Sequence, residues 1–292
     1  MTQIEYNGTA DIFVTERCNM NCQFCSARKN GLNISFDNFK KYVDNWVNYG
    51  ITHINITGGE PLLHPDIDIF LKYAYSLGMK VALFTNATYL SETMYQKLSP
   101  YLKWLAVSID GNDHDNYLLG RGENQMTHTI ATLKKIRKDF PNVLIRVATI
   151  VTSLNEEGIY ELGSYMLKNN FIPDLWRIKQ LIPVRRAIEN WDTLAVSEAS
   201  YQQVANKIRS LFGTKINVRI NGWKSKSGDL IVTYPDGTSG VTIIGGSGNN
   251  GTVVNLGNIF SDFDLVLQNW EKAINSDKWA ANNYKEEAWG TN

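Results

Sequence analysis

The sequence predicts an α/β fold: a partial (β/α)6 TIM-like barrel followed by a small C-terminal α+β extension. Short β-rich segments alternate with longer amphipathic segments between residues 10 and 213. Six such units follow one another, and right-handed crossovers would place each new parallel strand beside the previous one. Beyond residue 213 the alternation gives way to short strands separated by turn residues.

The strands of the barrel are predicted from runs of β-branched and apolar residues. In chain order they are Asp11–Thr15, His53–Thr57, Lys80–Thr85, Lys103–Ile109, Val143–Val151 and Asp174–Gln180. A helix is predicted after each strand, and polar N-cap residues mark several of the starts. These helices begin at Ser35, Asp66, Ser91, Met126, Asn155 and Ser197, and the last one ends at Gly213.

Residues 1–213 are predicted as the barrel domain and residues 214–292 as a small domain of antiparallel strands plus a helix. The predicted elements of the second domain are strands Ile216–Ile220, Asp229–Tyr234 and Thr238–Ile244, a turn at 235–237, a loop at Gly245–Gly251 and helix Phe263–Ile274. Such an extension is expected to form a lid or a wall of the substrate site.

The composition excludes several classes of function. Basic and acidic residues number 29 each, so no general attraction to nucleic acid or to an acidic membrane is expected. The start of the chain lacks the pattern of a secretory signal, and no apolar run approaches the ~20 residues of a membrane span. The sequence therefore predicts a cytoplasmic protein.

Three cysteines, Cys18, Cys22 and Cys25, are the only ones in the chain and lie within eight residues. An odd, closely spaced set is typical of metal ligands rather than disulfides. Three thiolates can ligate three irons of a four-iron cluster and leave the fourth iron open. A zinc site with a histidine as fourth ligand is the alternative.

Polar residues follow the next predicted strands. Gly58 and Gly59 would let the backbone approach a ligand closely, and Glu60 offers an anion to an ammonium group. Asn86, Ser108 and Asp110 end the third and fourth strands, on the rim where barrel enzymes place their sites.

The cysteine spacing, with Phe24 before the last cysteine and the Gly-Gly-Glu turn after the second strand, resembles the radical S-adenosylmethionine (SAM) superfamily over about residues 10–185. The resemblance implies a [4Fe–4S] cluster on the three cysteines and a 5′-deoxyadenosyl radical that abstracts hydrogen from a substrate. It also implies a flavodoxin or ferredoxin as electron donor. The residues that it assigns to SAM are Phe24, Gly58, Gly59, Glu60, Asn86, Ser108, Asp110 and Arg146.

Two further cations are candidate catalytic or substrate contacts. Arg121 lies between two glycines and can reach a carboxylate of SAM or of the substrate, or else is a solvated loop residue. Lys179 on the sixth strand is unfavourable to bury without an anion, so we expect it to bind the substrate, unless it extends to the rim. For Arg146, a structural ion pair is the alternative to SAM.

Two resemblances suggest different substrates. The C-terminal part resembles a twitch or SPASM extension without cysteines, which excludes an auxiliary cluster and favours a peptide or small natural-product precursor. The segments CNMNCQFC, LLGRGEN and WRIKQLIP are similar to viperin-like nucleotide dehydratases, although Lys179 and Ser26-Ala27 depart from that pattern. The peptide or small-molecule substrate is the first hypothesis, the nucleotide is the alternative, and a non-catalytic zinc-binding module is the remote one.

Overall fold

The computed structural model describes residues 6, 8–223, 228, 230–244 and 251–276. The strands are β1 Ala10–Thr15, β2 His53–Gly58, β3 Lys80–Thr85, β4 Trp104–Ser108, β5 Leu144–Val151, β6 Leu175–Gln180, β7 Val218–Asn221, β8 Ile231–Thr233, β9 Thr238–Ile244 and β10 Gly251–Asn258. The helices are α1 Phe36–Tyr49, α2 Ile67–Ser76, α3 Glu92–Leu98, α4 Asp113–Leu118, α5 Gln125–Asp139, α6 Glu156–Lys168, α7 Arg186–Glu189, α8 Trp191–Leu194, α9 Glu198–Phe212 and α10 Phe263–Ser276.

The strands form one sheet in the order β10-β9-β8-β1-β2-β3-β4-β5-β6-β7. Strands β1 to β7 are parallel neighbours in chain order, and helices cross over between them. This arrangement confirms the predicted partial TIM-like barrel. The six predicted strand segments agree with the observed bounds to within one residue at each end, because parallel strands covered on both faces appear in the sequence as short runs of apolar and β-branched residues.

The predicted antiparallel direction is wrong for β7, which pairs parallel with β6. For β8 the prediction holds on one side only, because its other edge pairs parallel with β1. The physical reason for β7 is that α9 carries the chain back along the barrel like the earlier crossovers. β9 pairs antiparallel with β8, as predicted.

A further strand, β10, lies where no strand was predicted and pairs antiparallel with β9. It begins at Gly251, the last residue of the predicted loop, while residues 245–250 of that loop lie outside the described residues. Glycine and asparagine have low β-propensity and interrupt the apolar pattern of this segment, so the sequence does not mark it as a strand. Its pairing with β9 stabilises the extended conformation.

The outer face of the barrel strands packs against the helices and forms the main core. Ile12, Ile54, Leu83 and Leu105 are fully buried there. The Ser35 hydroxyl accepts a hydrogen bond from the backbone N–H of Asn38 at the start of α1, as its predicted role of N-cap requires. In the described part of the chain, no helix combines the length and the apolar character that crossing a membrane requires.

Aromatic side chains join the last helix to the barrel. The Tyr6 ring lies 5.1 Å from that of Trp46 on α1 and 4.9 Å from that of Trp270 on α10. Phe263, at the start of α10, lies 4.9 Å from Trp46. The division of the chain at residue 213 stays a prediction, and both the sheet and this aromatic contact run across it.

His64, just after the Gly-Gly-Glu turn, is buried and accepts a hydrogen bond from Asp66 N at Nδ1, with Nε2 3.1 Å from Ile34 O. Burial lowers the pKa of His64. Folding below the ordinary histidine pKa of about 6.5 must therefore release a proton, so the free energy of unfolding should fall as the pH drops through 6.5. The slope for one proton is at most about 1.4 kcal/mol per pH unit.

Urea unfolding between pH 8 and 5.5 tests this expectation. His64→Gln should show a flatter pH dependence than the wild type, whereas the same change at the exposed His114 should not alter it. Parallel pH curves for the wild type and His64→Gln would contradict the assigned cause.

Candidate active site

The three cysteines lie on residues 16–28 after β1, which we call the cysteine loop. Met20 N donates to Cys18 Sγ, and Ala27 N donates to Cys25 Sγ, both at 3.4 Å. Burial raises the pKa of the Cys18 and Cys22 thiols. Thiolates are therefore unfavourable here without a nearby positive charge, and a metal centre would supply that charge.

The Gly-Gly-Glu turn after β2 is packed directly against the cysteine loop. Gly59 N donates to Thr15 O, and Glu60 N donates to Arg17 O, both at 2.8 Å. A Cβ on Gly58 or Gly59 would overlap the Thr15 or Arg17 carbonyl oxygen, and Gly58 has a φ of 154°. The sequence predicts close approach to a ligand; the structure shows that the glycines allow close approach to the backbone of the cysteine loop.

Glu60 is fully buried and accepts three hydrogen bonds. Leu62 N and Thr85 Oγ1 donate to Oε1 at 3.1 and 2.7 Å, and Asn86 N donates to Oε2 at 2.7 Å. These bonds occupy three of the roughly four acceptor positions of a carboxylate. Burial nevertheless raises the pKa of Glu60, so a cation beside Oε2 would stabilise its ionised form.

Asn86 joins the end of β3 to the cysteine loop. Its Nδ2 donates to Asn19 Oδ1 at 2.9 Å and lies 4.0 Å from Cys18 Sγ. Glu60 and Asn86 are thus neighbours beside the first cysteine. Asn19 was not singled out from the sequence, and its only signal there is a position between two cysteines.

Asp110 and Arg121, both from the segment after β4, form a buried ion pair. Ile150 N donates to the other carboxylate oxygen of Asp110 at 2.7 Å. Burial opposes the charge of Arg121, but Asp110 outweighs it and raises the pKa of Arg121. The guanidinium lies 5.3 Å from the centre of the Phe24 ring, and Ser108 ends β4 just before this pair. The two charges, expected to bind ligands separately, therefore contact each other beside the cysteine loop.

One face of β5, β6 and β7 carries four basic side chains: Arg146, Arg177, Lys179 and Arg219. Paired residues, and residues two apart, point to the same face of a sheet, and Arg177 is paired with Arg219. The buried guanidinium of Arg146 lies 4.8 Å from the centre of the Trp104 ring. Burial, together with Arg177 and Arg219, lowers the pKa of Arg146 to about 9, so this side chain is still charged at neutral pH.

These cations occupy different depths in the barrel. Lys179 is in register with Ile150 of β5, whose N–H donates a hydrogen bond to Asp110 at the rim. Arg146 lies four residues before Ile150 on β5, in register with Ala106 of β4. At ~3.3 Å per residue, Arg146 lies roughly 13 Å deeper along the strands than Lys179. The predicted roles of Arg146 toward SAM and of Lys179 toward substrate stay predictions.

Two cations from outside the predicted site hold the outer side of the cysteine loop. Lys29 Nζ donates to Met20 O at 3.0 Å, and Arg186 Nη1 donates to Cys22 O at 2.9 Å. Lys29 follows the last cysteine closely and could have been suspected from the sequence. Arg186 is 164 residues away from Cys22, and no local pattern connects them.

The family model of the radical SAM superfamily matches residues 12–164, over half of the 292-residue chain. The chain belongs to the radical SAM superfamily. It is therefore an enzyme that uses a [4Fe–4S] cluster and SAM. The site fits these groups, because three thiols with N–H donors to two sulfurs lie beside a buried carboxylate that favours an ammonium group.

Two relatives of named activity are 29% identical to this chain over the aligned residues. The S-adenosylmethionine-dependent nucleotide dehydratase of Flammeovirga pacifica is 29% identical over 211 residues, covering 66% of this chain and 69% of that protein. The AdoMet-dependent heme synthase of Methanosarcina barkeri is 29% identical over 201 residues, covering 65% of this chain and 54% of that protein. The match thus spans about half the length of the second relative.

Among solved structures, SuiB of Streptococcus suis bound to precursor peptide SuiA has a similar fold. It matches with a TM-score of 0.70 and 15% sequence identity, covering 97% of this chain and 67% of that chain. At this identity the likeness concerns the fold, and it extends over the strands that follow the barrel as well as the barrel itself.

Proposed function

We propose that this radical SAM enzyme acts on an anionic small molecule and that its substrate is a nucleotide. The observation that carries the proposal is the group of four cations on the inner face of β5, β6 and β7: Arg146, Arg177, Lys179 and Arg219. This order reverses the two hypotheses drawn from the sequence, which placed a peptide or natural-product precursor first.

The charge balance of the sheet supports an anionic substrate. In the described part of the chain, the ten strands together contain one acidic residue, Asp11, whose carboxylate accepts a hydrogen bond from Asn55 at 2.5 Å. Burial is the main cause of the lowered pKa of Arg146; Arg177 and Arg219 add repulsion between like charges, which Asp11 partly offsets. An anion with several charges would relieve this repulsion, and the planar guanidinium group suits phosphate oxygens.

The proposed site has two parts. SAM would be held beside the cysteine loop by Glu60 and Asn86, and the nucleotide would lie against the cations, with Lys179 nearest the rim. When bound, the cluster and SAM supply a 5′-deoxyadenosyl radical that abstracts hydrogen from the substrate. The barrel residues would hold the nucleotide in place and keep water away from the radical. A flavodoxin or ferredoxin is the proposed source of the electron.

The comparisons lend the two substrate hypotheses unequal support. The Flammeovirga relative is named as a nucleotide dehydratase and matches two-thirds of this chain at 29% identity. SuiB is solved with a peptide, but its 15% identity concerns the fold alone. The Methanosarcina heme synthase, however, matches this chain at the same identity over nearly the same length, so the preference for a nucleotide rests on the cations rather than on the relatives.

Nucleoside triphosphates are expected to raise the melting temperature of the SAM-bound holoenzyme, and Arg177→Gln or Lys179→Gln should reduce that shift. A ligand at 100 times its Kd stabilises by about 2.7 kcal/mol. A hydrogen bond to a charged group contributes about 1.5–3 kcal/mol, so losing one cation removes most of the effect. A thermal-shift series with the four common ribonucleoside triphosphates and their nucleosides measures this.

Arg209→Gln is the matched control, because Arg209 is exposed on α9 and lies outside the barrel strands. It should leave the shift unchanged. The proposal is wrong if triphosphates stabilise the protein no more than nucleosides do, or if both glutamine variants respond like the wild type.

A further inference from the structure

Arg28, three residues after Cys25, connects the cysteine loop to the turn between β8 and β9. Its Nε donates to Glu16 Oε1 at 2.9 Å, and its Nη2 donates to Asp236 Oδ1 at 2.8 Å. The guanidinium lies 3.7 Å from the centre of the Tyr234 ring. Arg28, Glu16, Tyr234 and Asp236 are called the Arg28 bridge below.

The Arg28 bridge contacts both ends of the cysteine loop. Glu16 is the first residue of the loop, and its side chain is fully buried. Arg28 is the last residue of the loop. Ala27, next to Arg28, donates the N–H···S hydrogen bond to Cys25 Sγ. Tyr234 packs in one buried apolar group with Ala27, and Cys25 lies at the edge of that group.

We propose that the β8–β9 turn, through Tyr234 and Asp236, positions the cysteine loop and fixes the N–H···S bond at Cys25. The role as a lid or substrate wall, which the sequence predicts for this part of the chain, is a separate one. Hydrogen bonds to the sulfurs raise the reduction potential of an iron–sulfur cluster, because they stabilise its more negative reduced state. Tyr234 and Asp236 act through Arg28 and are therefore positioning residues.

Tyr234→Leu tests the proposal without changing any charge. It removes the ring beneath Arg28, so the N–H···S bond should weaken and the potential of the cluster should fall. At a fixed solution potential, the ratio of reduced to oxidised cluster should drop about threefold to tenfold, or roughly 28 to 59 mV for a one-electron couple. A redox titration followed by the EPR signal of the reduced cluster measures this in the anaerobically reconstituted holoenzyme.

Two variants separate this effect from general loss of structure. Tyr234→Phe keeps the ring and loses only the hydroxyl, which accepts a hydrogen bond from Arg185 Nη2 at 3.0 Å. This variant should therefore have the wild-type potential. Tyr160→Leu is the matched control, since the Tyr160 ring lies 3.8 Å from Lys207 Nζ on the outside of the barrel. It should leave the potential unchanged.

Asp236→Asn gives a second, milder test that keeps the buried Glu16–Arg28 pair intact. Asp236 is partly exposed, so its ion pair contributes little to global stability. The variant should nevertheless release iron to a chelator several times faster than the wild type, because Arg28 is less firmly held. A wild-type potential in Tyr234→Leu overturns the proposal; if that variant does not fold, a wild-type iron-release rate in Asp236→Asn overturns it.

Discussion

Replacing any one of Cys18, Cys22 and Cys25 by alanine is expected to abolish both cluster assembly and the reductive cleavage of SAM. These are the three cysteines of the chain, and all lie on the cysteine loop. No other thiol can therefore replace a lost ligand. After anaerobic reconstitution, iron and sulfide should fall to background, and no 5′-deoxyadenosine should form with dithionite as reductant. Iron analysis and product quantification measure both.

Ser26→Ala is the matched control, because Ser26 is an exposed neighbour of Cys25 on the same loop. It should keep a full cluster and wild-type cleavage of SAM. Full iron content together with normal 5′-deoxyadenosine formation in any of the cysteine variants would show that the ligand set is different.

Glu60→Gln is expected to weaken SAM binding by roughly 10- to 150-fold, which corresponds to the about 1.5–3 kcal/mol of a hydrogen bond to a charged group. Glutamine keeps the volume of the side chain but loses the charge that would face the ammonium group. Leu62 N, Thr85 Oγ1 and Asn86 N all donate to the carboxylate of Glu60. The NH2 group of the glutamine would therefore lie against a donor and could not accept its hydrogen bond. Equilibrium binding of SAM to the cluster-containing protein measures the loss.

The pH dependence gives a second readout for Glu60. Burial raises the pKa of this carboxyl, and only its ionised form attracts an ammonium group. SAM affinity should therefore fall as the pH drops through that raised pKa, and this component should vanish in Glu60→Gln. Thr85→Val, which removes one donor and leaves the charge, should cause a smaller loss. Wild-type affinity in Glu60→Gln would remove Glu60 from the SAM site.

Features with a local signal could be predicted from the sequence. The serines predicted to open α1, α3 and α9 all accept a hydrogen bond from the backbone three residues later; they are Ser35, Ser91 and Ser197. The parallel pairings of β7 with β6 and of β8 with β1, and the existence of β10, could not be predicted in this way. Short strands carry little information about their partners, since pairing depends on which distant segment lies beside them.

The same distinction holds for the candidate site. The sequence named Glu60, Asn86, Asp110 and Arg121 as separate ligand contacts, because each follows a strand or lies between glycines. It contained no signal that Asp110 and Arg121 form an ion pair. Nor did it connect Arg28 with Asp236, which is 208 residues away.

By itself, the sequence determined the barrel and the strand ends that surround the cysteine loop, and it predicted the three cysteines as ligands of the cluster. These follow from periodicity and spacing over a few residues, which folding preserves. Only the tertiary structure decided which charged residues are neighbours. It forms the ion pairs Asp110–Arg121 and Arg28–Asp236, and it places Arg177 in register with Arg219 on one face of the barrel. The physical reason is that electrostatic and packing energies depend on distances in space, and strand register and loop closure set those distances.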